Sequence, residues 1–65
     1  MIMQEELEQC RVESLLLCDR LLAVLEENRE DAHLFFGGEV YQVYDAATDK
    51  AKNKVREIRN KVRNL

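Results

Sequence analysis

Proline and tryptophan are absent from the sequence, glycine occurs twice, and the longest apolar run is Leu21–Leu25. Without proline, no residue removes a backbone donor from a helix, and the 35% of charged residues is typical of long, exposed helices. The apolar run is too short for a membrane span or a secretion signal, and Glu5, Glu6 and Glu8 replace the basic residues with which such a signal begins. We therefore expect a cytoplasmic protein without a membrane partner.

The sequence also lacks the residue combinations that catalysis and cofactor binding require. Cys10 and Cys18 are eight residues apart, which is about 12 Å along a helix and too far for a disulfide within that helix. Neither cysteine belongs to a Cys-x-x-Cys pair, and the Gly37-Gly38 pair lacks the lysine of a phosphate-binding loop. We therefore expect a non-enzymatic protein without a cofactor.

Acidic and basic residues are distributed unevenly along the chain. Residues 1–31 contain nine acidic and three basic residues, whereas residues 50–65 contain seven basic residues and one acidic residue. This asymmetry favours an antiparallel hairpin, in which an acidic helix lies beside a basic one. A chain of 65 residues forms at most one domain and buries little surface alone, so we expect it to need a partner.

Residues 3–35 are predicted to form the first helix, because apolar residues recur there at intervals of three and four. The row that we expect to pack in the hairpin core contains Leu7, Cys10, Leu17, Leu21 and Val24. A second row beside it is expected to form an oligomer interface: Leu15, Cys18, Leu22, Leu25, Ala32 and Phe36. Two rows are wider than one helix partner requires, so the sequence predicts a homodimer that forms a four-helix bundle.

A turn at residues 36–38 is predicted to follow, with Gly37 in the left-handed conformation and Gly38 as the cap of the next helix. The second helix is predicted at about 39–64, where the motif Asn-Lys-Val-Arg occurs at 53–56 and again at 60–63. Its hairpin-core residues are predicted to be Val40, Tyr44, Ala47, Ala51, Val55, Ile58 and Val62. The expected fold is an all-α, two-helix antiparallel hairpin, with residues 1–65 in one domain.

Residues 34–44 also fit a different structure, a short β-hairpin between two helices. In this alternative, Gly37 and Gly38 form a two-residue turn, and the valines and tyrosines of 40–44 favour a strand. The helical spacing of Val40, Tyr44 and Ala47 favours the continuous second helix instead, and an isolated β-hairpin is only marginally stable.

A basic row on the second helix indicates an alternative function. Lys52, Arg56, Arg59 and Arg63 recur at helical spacing, and such a row can follow a phosphate backbone. A dimeric nucleic-acid-binding regulator is therefore the alternative to a protein-binding module. The net charge of −3 and the lack of aromatic residues within the row favour ion pairs with the acidic helix instead.

Glu30 and His33 form the Glu-x-x-His pattern found in carboxylate-bridged metal sites of helical bundles. Such a site needs another carboxylate from a facing helix, and the nearest candidates, Glu39 and Asp45, lie close to the turn. We therefore predict no metal site, and a metal protein is the remote alternative.

These observations together predict a small protein–protein interaction module that acts as a homo-oligomer through its helix faces. An assembly, adaptor or inhibitory role toward a further protein partner fits this prediction. The small size and the composition are also typical of phage and bacterial accessory proteins.

Overall fold

The computed structural model describes residues 3–65 and contains two α-helices, α1 (Gln4–Phe35) and α2 (Gly38–Arg63). The helices pack against each other as an antiparallel pair, in a molecule that measures 51 × 16 × 14 Å. The predicted all-α helical hairpin is therefore confirmed. The predicted domain also included residues 1 and 2, which lie outside the described residues.

Residues 34–44 contain no strand, because Leu34 and Phe35 complete α1 and 40–44 belong to α2. The alternative with a β-hairpin is therefore wrong. The short turn leaves residues 36 and 37 between the helices, close to the predicted turn at 36–38.

The two glycines have exchanged their predicted roles. Gly38 adopts the left-handed conformation, with φ 48°, whereas Gly37 is extended and is the N-cap of α2. The helix α1 ends without a left-handed residue, because Phe36 is extended and its N–H donates to the Ala32 carbonyl at 2.9 Å. The sharp change of direction therefore falls one residue later than the sequence predicted.

The helices meet along a seam of half-buried and buried residues that are spaced three and four positions apart. In α1 the seam contains Arg11, Leu15, Cys18, Leu22, Leu25, Arg29 and Ala32. In α2 it contains Tyr41, Tyr44, Thr48, Ala51, Val55, Arg59 and Val62. Among residues 3–65 only Cys18, Ala32 and Thr48 are buried, so the core of the hairpin is thin and consists of small side chains.

The two apolar rows of α1 lie in different places from those that the sequence predicted. The row expected to contact a second copy lies in the seam, except for Phe36, which is exposed with its ring centroid 6.0 Å from that of Tyr44. The row expected in the hairpin core is exposed: Leu7, Cys10, Leu17, Leu21 and Val24. The assignment of the first row to the hairpin core is therefore wrong, whereas the contact with a second copy stays a prediction.

Arg29 lies between Leu25 and Ala32 in the seam of α1 and interrupts its row of apolar side chains. Its guanidinium binds Glu26 on α1 and reaches across to Asp45 and Asp49 on α2, at 3.3 and 2.8 Å. With its charge bound by these carboxylates, the aliphatic part of Arg29 can cover the seam like an apolar side chain. A charged residue therefore belongs to the contact, although the sequence pattern indicates an interruption there.

In α2 the seam contains Thr48 where the sequence predicted Ala47. Thr48 is only 5% exposed, and its hydroxyl donates a hydrogen bond to the Tyr44 carbonyl at 2.9 Å, which satisfies the buried polar group. Tyr44, Ala51, Val55 and Val62 lie in the seam as half-buried residues, whereas three other predicted core residues are exposed: Val40, Ala47 and Ile58.

Candidate interaction face

Ion pairs connect the two helices along one side of the hairpin. Asp19 binds Arg59 at 3.0 Å and Glu26 binds Lys52 at 2.5 Å, in addition to the contacts of Arg29 with α2. Five of these paired residues each follow a seam residue directly in sequence: Asp19, Glu26, Asp45, Asp49 and Lys52. Because successive helical residues are about 100° apart, these five side chains lie on the same flank of their seams, which we call the ion-pair edge.

The residues that directly precede seam residues lie on the opposite flank, and most of them are apolar. Glu26 and Lys52 each follow a seam residue, and their ion pair shows that these two flanks lie on the same side of the hairpin. The flanks formed by the residues that precede seam residues therefore lie together on the other side. We call this side the open apolar face and define it by Leu7, Cys10, Leu17, Leu21, Val24, Val40, Val43, Ala47 and Ile58.

The open apolar face is unusual because its large side chains are accessible along most of the molecule. Their exposure ranges from 44% for Leu21 to 71% for Val43. In α2, Ala47 and Ala51 form the floor of a shallow groove, whose rim includes Lys50, Lys54 and Glu57. A long apolar strip with a groove of small residues is the kind of surface to which another helix binds.

The ion-pair edge contains strongly perturbed groups. Hydrogen bonds donated by Arg29 and then Lys52 lower the pKa of Glu26 from 4.5 to about 2. The same bond to Glu26 raises the pKa of Arg29, while burial and then the neighbouring charge of Asp45 raise the pKa of Tyr41. Glu26 and Arg29 are therefore both charged around neutral pH, and their contacts with Lys52 and Asp49 join the two helices on this side.

The basic row of α2 is divided between two environments. Lys52 and Arg59 bind acids of α1, and the Nε of Arg59 is buried without a hydrogen-bond partner in the described part of the chain. Arg56 and Arg63 are exposed, and Arg56 donates a hydrogen bond to Asn53 at 3.2 Å. Only two of the four predicted nucleic-acid contacts are therefore accessible to a phosphate backbone.

The acidic start of α1 does not form the ion pairs with α2 that the charge pattern suggested. Within residues 3–65, Glu8 pairs with Arg11 on its own helix, and Glu13 accepts a hydrogen bond from Gln9 at 2.9 Å. With 32 residues in α1 and 26 in α2, the start of α1 extends beyond the end of its partner helix. The pairing acids are therefore those in the middle of α1.

His33 and Glu30 do not form a metal site with other residues of the described chain. The imidazole of His33 stacks on Tyr41, with ring centroids 3.7 Å apart. No group of three or more His, Cys, Asp or Glu residues in 3–65 is close enough to hold a metal ion. His33 therefore packs at the turn end of the hairpin.

Comparison of the chain with protein-family models, with curated proteins and with solved structures gives no match. Neither α1 nor α2 combines the length and the hydropathy that a helix needs to cross a membrane. The open apolar face is the main candidate site on residues 3–65. Sequence reasoning missed its composition, although a usable signal existed: charged residues follow Cys18, Leu25 and Thr48, and apolar residues precede them.

Proposed function

We propose that the protein is a non-enzymatic protein–protein interaction module that works as a homo-oligomer through the open apolar face. The observation that carries this proposal is the position of two apolar rows, one from each helix, on the same exposed side of the hairpin. An assembly, adaptor or inhibitory role, in which the oligomer presents its remaining surfaces to another protein, is consistent with this arrangement.

The surface area of the isolated chain supports the proposal. A compact monomer of 7.7 kDa exposes about 4,300 Å², whereas this chain exposes 5429 Å². The excess of about 1,100 Å² is of the same order as the roughly 800 Å² that each partner buries in a standard protein interface. A face of 51 by 16 Å has the dimensions to supply that area.

The thin core gives a second argument for association. Only three small residues are buried in the described chain, and none of its large side chains is fully buried. Leu17 and Leu21 are already about half covered, with exposures of 58% and 44%, so full burial by a partner would stabilise the fold by about 1 kcal/mol for each side chain. Association therefore offers the apolar burial that the hairpin lacks alone.

Neighbouring leucines provide a matched test of the proposal. Leu17 lies on the open apolar face, whereas Leu16 follows the seam residue Leu15 and lies on the side of the ion-pair edge; their exposures are similar, 58% and 54%. We expect sedimentation equilibrium to give about twice the 7.7 kDa chain mass at micromolar concentration. Leu17→Glu should weaken the dimer by at least about tenfold because it places a charge in the contact, and Leu16→Glu should leave it unchanged.

A folded wild-type monomer over the whole concentration range would refute self-association. Equal effects of the two substitutions would show that the contact does not involve this face. Circular dichroism at high protein concentration distinguishes a variant that no longer associates from one that no longer folds.

A further inference from the structure

Charges of opposite sign line the two outer margins of the open apolar face. Along α1 the marginal residues occur every seven positions and read acid, acid, base, acid: Glu6, Glu13, Arg20 and Glu27. Along α2 the charged residues read base, base, acid, base: Lys50, Lys54, Glu57 and Lys61. Three of them, Lys50, Lys54 and Lys61, directly precede seam residues and so belong to the flank that forms the face. The exception in each margin is one residue of the other sign, Arg20 in α1 and Glu57 in α2.

If two copies bind through this face, as the proposed function requires, two-fold symmetry allows two arrangements. With the turns at opposite ends, α1 packs on the partner's α1 and α2 on the partner's α2. With the turns at the same end, α1 packs on the partner's α2. The first arrangement brings acidic margins together and basic margins together, which is unfavourable, whereas the second places acidic margins against basic ones.

Symmetry also fixes the register of the second arrangement. A two-fold axis parallel to the helices keeps the partner's α2 at the same height as the chain's own α2. Heights within the hairpin are given by contacting pairs such as Asp19 with Arg59 and Glu26 with Lys52. At this register Arg20 lies within one residue of the level of Glu57 of the second copy, and Glu27 lies within one residue of the level of Lys50, so these two pairs bring opposite charges together. Glu13 lies level with Leu65, about 6 Å beyond Lys61 along the helix.

We propose that a second copy of the chain occupies the open apolar face with its turn at the same end. In this dimer α1 of each copy lies over the alanine groove of the other copy's α2, and Arg20 pairs with Glu57 across each side. The groove suits this position because Ala47 and Ala51 allow close approach, while Lys50 and Glu57 on its rim match the margin of α1. Arg20 has no ion pair within residues 3–65, and Glu57 has only an exposed contact with Lys54 at 3.7 Å.

An exchange of charges between two chains tests the arrangement. Arg20→Glu places two acids in each marginal contact of its homodimer, and Glu57→Lys places two bases there. We expect each variant homodimer to dissociate about tenfold more readily, since each contains the repulsive contact twice. In a mixed dimer of the two variants both contacts are again between opposite charges, so mixing should give mainly the heterodimer in native mass spectrometry.

A control mixture separates this contact from general attraction between unequal charges. Arg56→Glu and Glu30→Lys change the net charge of their chains as the test pair does, but both residues lie outside the open apolar face. We expect this control mixture to form homodimers and heterodimers in statistical proportions.

The outcomes distinguish the arrangement from the proposed function on which it rests. A wild-type chain that never dimerises overturns the proposed function. A wild-type dimer whose test mixture shows no more heterodimer than the control mixture overturns the same-end arrangement alone. If a variant is unfolded by itself, restored helicity on mixing supports the arrangement, and failure to restore it contradicts the arrangement.

Discussion

Arg29 lies in the seam and connects the two helices of the hairpin. It occupies a seam position that would normally be apolar, and it binds three carboxylates, those of Glu26, Asp45 and Asp49. Because these carboxylates come from both helices, the arginine fixes which flank of α1 faces which flank of α2. The same contact leaves the apolar flanks together on the other side.

Glu26 makes this network sensitive to acid. Its pKa is lowered from 4.5 to about 2 by hydrogen bonds from Arg29 and Lys52, so folding favours the ionised carboxylate. The stabilisation is complete above pH 4.5 and is lost as the pH falls toward 2. We expect the melting temperature of the wild type to fall over this range more steeply than that of Glu26→Gln, measured by circular dichroism at one protein concentration.

Glu30→Gln is the matched control for this measurement, because Glu30 is exposed and joins no ion pair within residues 3–65. Its melting temperature should follow that of the wild type at each pH. If Glu26→Gln also follows the wild type between pH 4.5 and 2, the ion-pair edge does not contribute to stability through Glu26.

At the scale of the elements, the turn makes different demands on two adjacent glycines. Gly38 has φ 48°, where a side chain is strained, so Gly38→Ser should destabilise the hairpin by about 1–2 kcal/mol. Gly37 is extended, and a Cβ there meets nothing within 4 Å. Gly37→Ser should stabilise by about 0.5–1 kcal/mol, because serine restricts the unfolded chain and can cap α2.

Urea unfolding of the two serine variants checks this prediction, since they have the same composition and differ only in position. Similar unfolding midpoints would contradict the assignment of the left-handed residue to Gly38. An inverted order would instead place it at Gly37, as the sequence alone predicted.

The sequence was sufficient to predict two helices and a turn, because helical periodicity, the absence of proline and the glycine pair all favour them. It was not sufficient to predict which apolar row of α1 packs on α2. Both rows have similar hydrophobicity, and the choice depends on contacts between residues distant in sequence, such as Arg29 with Asp49. Thr48 was missed for a related reason: its hydroxyl is satisfied within the helix, so it can be buried although it is polar.

At the scale of the whole molecule, folding and association are expected to be coupled. The hairpin buries only Cys18, Ala32 and Thr48 within the described chain, and most of its large apolar side chains remain accessible. A dimer that covers the open apolar face would stabilise the folded state by mass action, so the melting temperature should rise with protein concentration. Leu17→Glu should reduce this dependence, and Leu16→Glu should retain it. Thermal unfolding between low-micromolar and millimolar concentrations measures the effect, and a wild-type melting temperature that does not change would mean that the hairpin is stable without a second copy.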